Sequence, residues 1–232
     1  MKSLGKVNAV LTGRAVSFAH GAKSAIDKKV VDGRQSVSFL GLMGDEQGEL
    51  RFHGGVEKAL HVYPAEHYSK WVKELGDRDI FQHIGAFGEN ISSSGVTEKD
   101  ICIGDKIRIG STYLEVSQGR MPCWKLNVRF EQNDMAKRLQ DSLRTGWYFR
   151  VLQEGDIGQG DEILLCDRSY PEWTLARIMS LIFEGCLETL ELQKLAQLPL
   201  VESWKKLVDR RIRDGVVEDW LPRIEGPCRK DK

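Results

Sequence analysis

Ser117-Gln118-Gly119-Arg120-Met121-Pro122-Cys123-Trp124-Lys125-Leu126 is the segment around which the rest of this chain is organised. Upstream of it, Tyr113-Leu114-Glu115-Val116 reads as a strand that ends near Gln118. A glycine and a proline then force an irregular loop, and the cysteine follows directly. Arg120 and Lys125 bracket Cys123. Nearby cations favour thiolate over thiol, which makes a better nucleophile or soft-metal ligand. Loops held by a rigid strand framework are common sites of function. The other reading of Cys123 is a small apolar residue packed under a loop.

Working outward, Lys6-Val7-Asn8-Ala9-Val10-Leu11, Ala59-Leu60-His61-Val62-Tyr63, Ile101-Cys102-Ile103, Lys106-Ile107-Arg108-Ile109 and Glu162-Ile163-Leu164-Leu165 also read as strands. Gly44-Asp45, Gly104-Asp105 and Gly160-Asp161 are turn signals. Many short strands with glycine-rich turns point to a barrel or sandwich rather than a doubly wound sheet. One helix interrupts them: Pro64 suits its first turn, Tyr68, Trp71, Val72 and Leu75 share a face, and Gly76 stops it. A second helix is expected over Asn133–Leu143. After Ser169 the character changes. Helices are expected from Thr174, over Leu187–Leu198 and over Val201–Arg213, with Thr174 as a cap and Gly215 as a stop. Residues 169–232 carry 11 Lys/Arg and 11 Asp/Glu, so no basic face is built into this helical tail and packing, dimerisation or partner docking is its expected role. Trp204 and Trp220 read either as core or as the face of a homodimer.

The 232 residues carry 34 basic and 34 acidic side chains, a net charge of zero, which argues against bulk nucleic-acid binding and against a polybasic membrane clamp. Neither a membrane-length apolar run nor a signal-peptide pattern is evident, and five widely spaced cysteines do not form a disulfide framework, so a cytoplasmic setting is expected. Cys102 reads as core, and the absence of Cys-x-x-Cys gives little support to structural zinc or a dithiol pair.

Other stretches offer polar groups to a ligand. In Phe52-His53-Gly54-Gly55-Val56-Glu57-Lys58, the glycine N–H groups suit an anion and Lys58 adds a point charge. Taken alone, this stretch reads more simply as a turn with a structural histidine. In Gly85-Ala86-Phe87-Gly88-Glu89-Asn90, the Asn90 amide suits a heterocycle or a backbone turn, and Glu89 is placed to neutralise Arg120 or Lys58. Gly41–Gln47 reads as a turn with a solvated acidic face. Gly146-Trp147-Tyr148-Phe149-Arg150-Val151 is an aromatic cluster that suits a pocket wall but reads first as core, with Arg150 available to an anion. A Gly-x-Gly-x-x-Gly fingerprint is absent, which removes the main argument for a Rossmann nucleotide enzyme.

In order, His53-Gly54-Gly55, Phe87-Gly88-Glu89-Asn90, Ile103-Gly104-Asp105, Ser117 to Leu126 and Gly146-Trp147-Tyr148 resemble the MOSC family, named for the C-terminal domain of molybdenum cofactor sulfurases. With the helical tail, the chain is most similar to the stand-alone bacterial YiiM-like branch. The likeness runs from Gly5 to Gly226 and departs at Gly119-Arg120-Met121, where relatives often carry Pro-Arg before a small residue. The resemblance implies a mainly β fold. Residues 1–168 would form a MOSC-type β-barrel with flanking helices, and residues 169–232 a C-terminal three-helix subdomain. It implies a molybdopterin-type molybdenum cofactor with Cys123 as metal ligand, and reduction of N-hydroxylated compounds such as N-hydroxylated purine bases. Arg120, Lys58, Lys125 and the Gly54 and Gly55 amides are then candidates for the cofactor's phosphate. His53 and Asn90 are candidate catalytic positions beside Cys123, hydrogen-bonding the metal's oxo group or the substrate. No flavin or haem motif is apparent, so the electron donor is expected to be a separate protein. Two other readings use the same cysteine: a sulfur carrier or sulfurtransferase with a Cys123 persulfide, and a non-catalytic module that binds the pterin cofactor.

Overall fold

The computed structural model of the chain describes residues 1–49 and 54–227. Seven strands close into a barrel: β1 (Lys2–Thr12), β2 (Leu60–Pro64), β3 (Ile91–Ser94), β4 (Lys106–Ile109), β5 (Thr112–Gly119), β6 (Trp147–Gln153) and β7 (Glu162–Asp167). Around the barrel they run β7, β4, β5, β6, β2, β3, β1 and back to β7. Every pairing is antiparallel except the parallel contact of β2 with β3. Closure leaves no open edge in this ring. Along β5 the side chains of Leu114 and Val116 point into the core while Tyr113 and Glu115 face outward, the two-residue period of a strand buried on one side. The alternation then stops: Ser117, Gln118 and Gly119 are all buried. A register shift against β6 falls between Val116 and Gln118, a bulge that re-aims the chain just before the Arg120–Cys123 loop.

Among the described residues seven α-helical segments surround the barrel, two of them short. They are α1 (Glu66–Leu75), α2 (Lys125–Arg129), α3 (Met135–Ser142), α4 (Leu175–Phe183), α5 (Thr189–Ala196), α6 (Glu202–Asp214) and α7 (Leu221–Ile224). Thr174 caps α4, its Oγ1 accepting the Arg177 N–H at 3.2 Å, and Gly215 ends α6 in the left-handed region. Two expectations are corrected. Pro64 closes β2 rather than opening α1, a place where the missing N–H breaks no ladder bond. Ile101–Ile103 is not a strand: Cys102 makes a single bridge to Thr174, and the Asp105 carboxylate takes the Cys102 N–H at 2.8 Å and turns the chain.

One apolar cluster fills the barrel with Ile91, Leu114, Trp147 and Phe149 and continues without a break into Ile178, Met179, Trp204 and Val208 of the tail. Trp204 is therefore core. A second cluster, Tyr63, Trp71, Phe87 and Phe130 among it, lies under α1 and α2. Arg211 of α6 is fully buried and ties the tail together, donating to the Ile182 carbonyl at 2.7 Å and the Leu181 carbonyl at 3.1 Å and pairing with Glu218. No helix among the described residues is long and apolar enough to cross a membrane.

Because tail and barrel share a core, Trp204→Ala is expected to lower unfolding free energy by about 3–5 kcal/mol. Urea unfolding followed by far-UV dichroism and by tryptophan fluorescence should remain one coincident transition; two separated transitions would show that the helices fold apart from the barrel.

Candidate functional site

The loop after β5 is held from two sides. Its first N–H, from Arg120, donates to the Gly146 carbonyl at the start of β6 at 3.0 Å. The N–H of Trp124 donates to the Arg223 carbonyl of α7 at 2.9 Å, and Arg223 Nη1 donates to the Pro122 carbonyl. Between these anchors Cys123 is partly exposed and lines a cleft at the end of the barrel. Gly119 lies under α4: a Cβ there would stand 2.3 Å from the Met179 sulfur, so a side chain at this position would have to displace that flexible thioether.

The cleft is rich in buried cations. Arg120 is 8% exposed, Lys125 is 4% exposed, and the Lys28 side chain is 7% exposed; Lys58 joins them on the wall. Lys28 is ion-paired with Asp45, and Lys125 Nζ donates to the Lys23 carbonyl at 2.7 Å. Arg120 Nη1 is buried without a hydrogen-bond partner among the described residues. Burial lowers the ammonium pKa of both Lys28 and Lys58; Asp45 and Cys123, respectively, act in the opposite sense. Burial, reinforced by the charges of Arg120 and Lys28, holds the His61 imidazole well below its ordinary pKa, so it is neutral. Burial also pushes the Tyr148 phenol up. Arg223 is brought down to about 10 by burial, with the Cys123 and Glu218 charges opposing the shift.

Of the residues expected from sequence, Cys123, Arg120, Lys58, Lys125 and Asn90 all line this cleft. The Asn90 amide is engaged with the protein: Oδ1 accepts the His61 N–H at 3.1 Å, and Nδ2 donates to Asp45 at 2.8 Å and to the Leu11 carbonyl at 3.2 Å. Gly54 and Gly55 stand beside the cleft rather than on its wall, with the Gly55 N–H aimed at the Gln47 side chain at 3.4 Å. His53 lies outside the described residues, as does Cys228.

Three expectations are overturned. Glu89 neutralises neither Arg120 nor Lys58; it is fully buried and accepts the Tyr68 hydroxyl at 2.6 Å and the N–H groups of Gly85 and Phe87. Arg150 faces no anion site, since it pairs with Glu57 and Glu115. The acidic turn is not a solvated face: Asp45, Glu46 and Gln47 form one wall of the cleft, and the Asp45 side chain is 8% exposed. Tyr148 comes from the aromatic cluster that the sequence offered as a pocket wall, read there first as core. Sequence reasoning missed Lys28, His61 and Arg223. Only the apolar neighbours of His61 in its strand gave any hint of burial; the other two carry no local signal.

The fold and the cleft together define a class: a closed barrel presenting a strand-end cysteine to a buried, cation-lined cleft. Residues 49–164 match the family model for the MOSC domain and residues 173–215 the model for the YiiM-like, 3-alpha helix domain, and the chain belongs to the MOSC family in its YiiM-like branch. It is 34% identical over 218 residues to "Protein YiiM" of Escherichia coli (strain K12), covering 94% of this chain and 97% of that one. It is 35% identical over 209 residues to a protein named "Reductase" from Gibberella moniliformis, covering 89% of this chain and 37% of that longer protein. The crystal structure of YiiM from Escherichia coli superposes with a TM-score of 0.80 at 29% identity, over 97% of this chain and 100% of that one. YiiM from Geobacillus stearothermophilus gives a TM-score of 0.77, also at 29% identity, over 90% of this chain and 99% of that one. MOSC domains are associated with binding of the molybdenum cofactor.

The neutral, buried His61 makes a stability prediction. Its folded pKa lies below the ordinary 6.5, so beneath that pH the unfolded chain takes up a proton that the folded one refuses. Above it His61 contributes no pH dependence; as pH falls through it, stability is lost with a limiting slope of about 1.4 kcal/mol per pH unit. Urea titrations at a series of pH values should show this slope reduced in His61→Gln; an unchanged slope would assign the acid sensitivity elsewhere.

Proposed function

We propose that this chain is a molybdenum-cofactor-dependent reductase of N-hydroxylated compounds, with Cys123 as the protein's ligand to the metal. The observation that carries the reading is Arg120, nine-tenths buried and in contact with the Tyr148 hydroxyl, whose Nη1 has no partner among the described residues, in a cleft that also gathers Lys28, Lys58 and Lys125 around a thiol. A buried guanidinium N–H without a partner is costly, so an anion from outside the chain is its natural complement, and phosphate suits its geometry. The thiol supplies one soft donor of the kind molybdenum–sulfur chemistry uses. Among the described residues no group of three or more His, Cys, Asp or Glu side chains is gathered to hold an ion. A metal arriving on a cofactor with its own sulfur ligands needs only Cys123 from the protein. The inner space of the cleft, about 80 Å³, accommodates a phosphate-sized group, so a whole pterin cofactor would need the open mouth as well.

When bound, the cofactor supplies two-electron redox chemistry. The chain's own residues do the rest. Arg120, Lys58 and Lys125 bind and orient anionic groups, and Tyr148 offers an aromatic wall to a flat heterocycle. The electrons come from a separate donor protein. In support, the match to the relative named "Reductase" takes in only 37% of that protein, which leaves room for other components outside the shared part.

Elemental and pterin analysis of protein from a cofactor-producing host tests the reading. Wild type is expected to hold stoichiometric molybdenum and Cys123→Ala none, with the fold intact. A persulfide on Cys123 in active, metal-free protein would instead establish a sulfur carrier, and bound pterin without turnover, even with a competent donor, a binding module. Arg120→Ala should weaken cofactor retention by about tenfold or more, read as molybdenum remaining after dialysis; unchanged retention would remove Arg120 from phosphate binding.

A further inference from the structure

Reducing an N–OH group consumes protons as well as electrons, and the cleft wall offers few groups able to give one up. His61 is neutral, with Nε2 3.4 Å from the Thr145 carbonyl. The Tyr148 phenol is pushed up by burial, and a guanidinium such as that of Arg120 does not deprotonate in proteins. The Lys125 ammonium is donated to the Lys23 carbonyl. Lys58 is half-buried and sits beside Cys123, where it faces the proposed metal ligand and its anionic groups.

Lys28 differs. Its side chain is 7% exposed, it lines the cleft, and Asp45 holds its Nζ. Asp45 is itself fixed, with Oδ1 accepting the Gly13 N–H at 2.7 Å and Oδ2 the Asn90 amide at 2.8 Å. Asn90 in turn accepts the His61 backbone N–H. A rigid frame therefore positions one ammonium group against the cleft, near enough to His61 for its charge to act on that ring.

We propose that Lys28, held by Asp45, is the catalytic acid that protonates the departing oxygen when the substrate N–O bond is cleaved. This rests on the reductase reading above. The step balances as R₂N–OH + 2 e⁻ + 2 H⁺ → R₂N–H + H₂O. The N–O bond breaks, the two electrons originate in the donor protein, and the Lys28 Nζ proton passes to the hydroxyl oxygen, which leaves as water. A solvent proton completes the N–H, and water at the mouth reprotonates the Lys28 amine. Burial eases release of the Lys28 proton; Asp45 and Glu89 oppose that effect. The other charges facing Lys28 are those of Lys58, Arg120 and Lys125 in the cleft and, in the groove on its far side, Asp27, Lys29, Asp79 and Arg129, with His83 also titratable there.

Lys28→Arg keeps the positive charge but cannot deliver a proton near neutral pH. It is expected to keep its molybdenum, to lose about a hundredfold in kcat, and to lack the alkaline limb that wild type shows as pH rises and Lys28 deprotonates. Added primary alkylammonium ions should restore part of the activity of Lys28→Ala. A readout independent of turnover is nuclear magnetic resonance titration of the Lys28 side chain in metal-free protein, with a midpoint expected below the ordinary lysine range. Wild-type turnover matched by Lys28→Arg at every pH, no response of Lys28→Ala to amines, or an ordinary lysine midpoint would each overturn the assignment. Wild type that binds no molybdenum and reduces no N-hydroxylated compound overturns the reductase reading and the acid with it, so the two failures are told apart by the wild type alone.

Discussion

Three buried cations, a half-buried Lys58 and a partly exposed thiol gathered in one cleft are the constraint on which this structure turns. Removing an ammonium or guanidinium group from water is expensive unless it is paired and hydrogen-bonded. The chain meets that cost unevenly. Lys28 has a carboxylate and Lys125 has a carbonyl, but Arg120 Nη1 has no partner among the described residues. It is affordable here because the barrel beneath is closed and its core is continuous with the helices behind it, so rigidity elsewhere carries a local debit.

Asp45 offsets the charge of Lys28, but two other buried carboxylates nearby are engaged elsewhere. Glu89 is spent on the Gly85 and Phe87 N–H groups, and Glu98 on the Gly146 N–H at 2.7 Å and the His67 ring at 2.8 Å. Both act as clamps on backbone at the edge of the cleft and leave Arg120 unneutralised. The Gly146 clamp bears directly on the site, because the Gly146 carbonyl receives the Arg120 N–H. Buried acids here set geometry, and the cations set the chemistry.

The helical tail is a structural part of the same site. Met179 of α4 fills the space a side chain at residue 119 would take, and α7 reaches the loop from the other side. Asn127 Nδ2 donates to the Ile224 carbonyl at 2.9 Å, and Gly226 lies so close to the Trp124 ring that a Cβ there would sit 2.7 Å from it. Arg223 stacks on Trp220, 4.6 Å from the ring centroid, while its guanidinium holds Pro122 and Gln140. Cys123 is thus fixed by residues about a hundred positions away along the chain.

What the amino-acid sequence determined by itself was local. Strand periodicity, the glycine and proline breaks, the Thr174 cap and the Gly215 stop are all written in a few consecutive residues, because backbone preference and side-chain alternation act over short range. The motif around Cys123 was equally legible, since its cations are neighbours in sequence. The partners of each charge were not. Whether Glu89 meets Arg120 or a backbone N–H, whether Asp45 faces water or Lys28, and whether Arg223 touches the cysteine loop depend on which distant strands and helices close around one another. Only the tertiary structure decided those, because pairing energies are set by distance and burial, and neither exists until the barrel is closed.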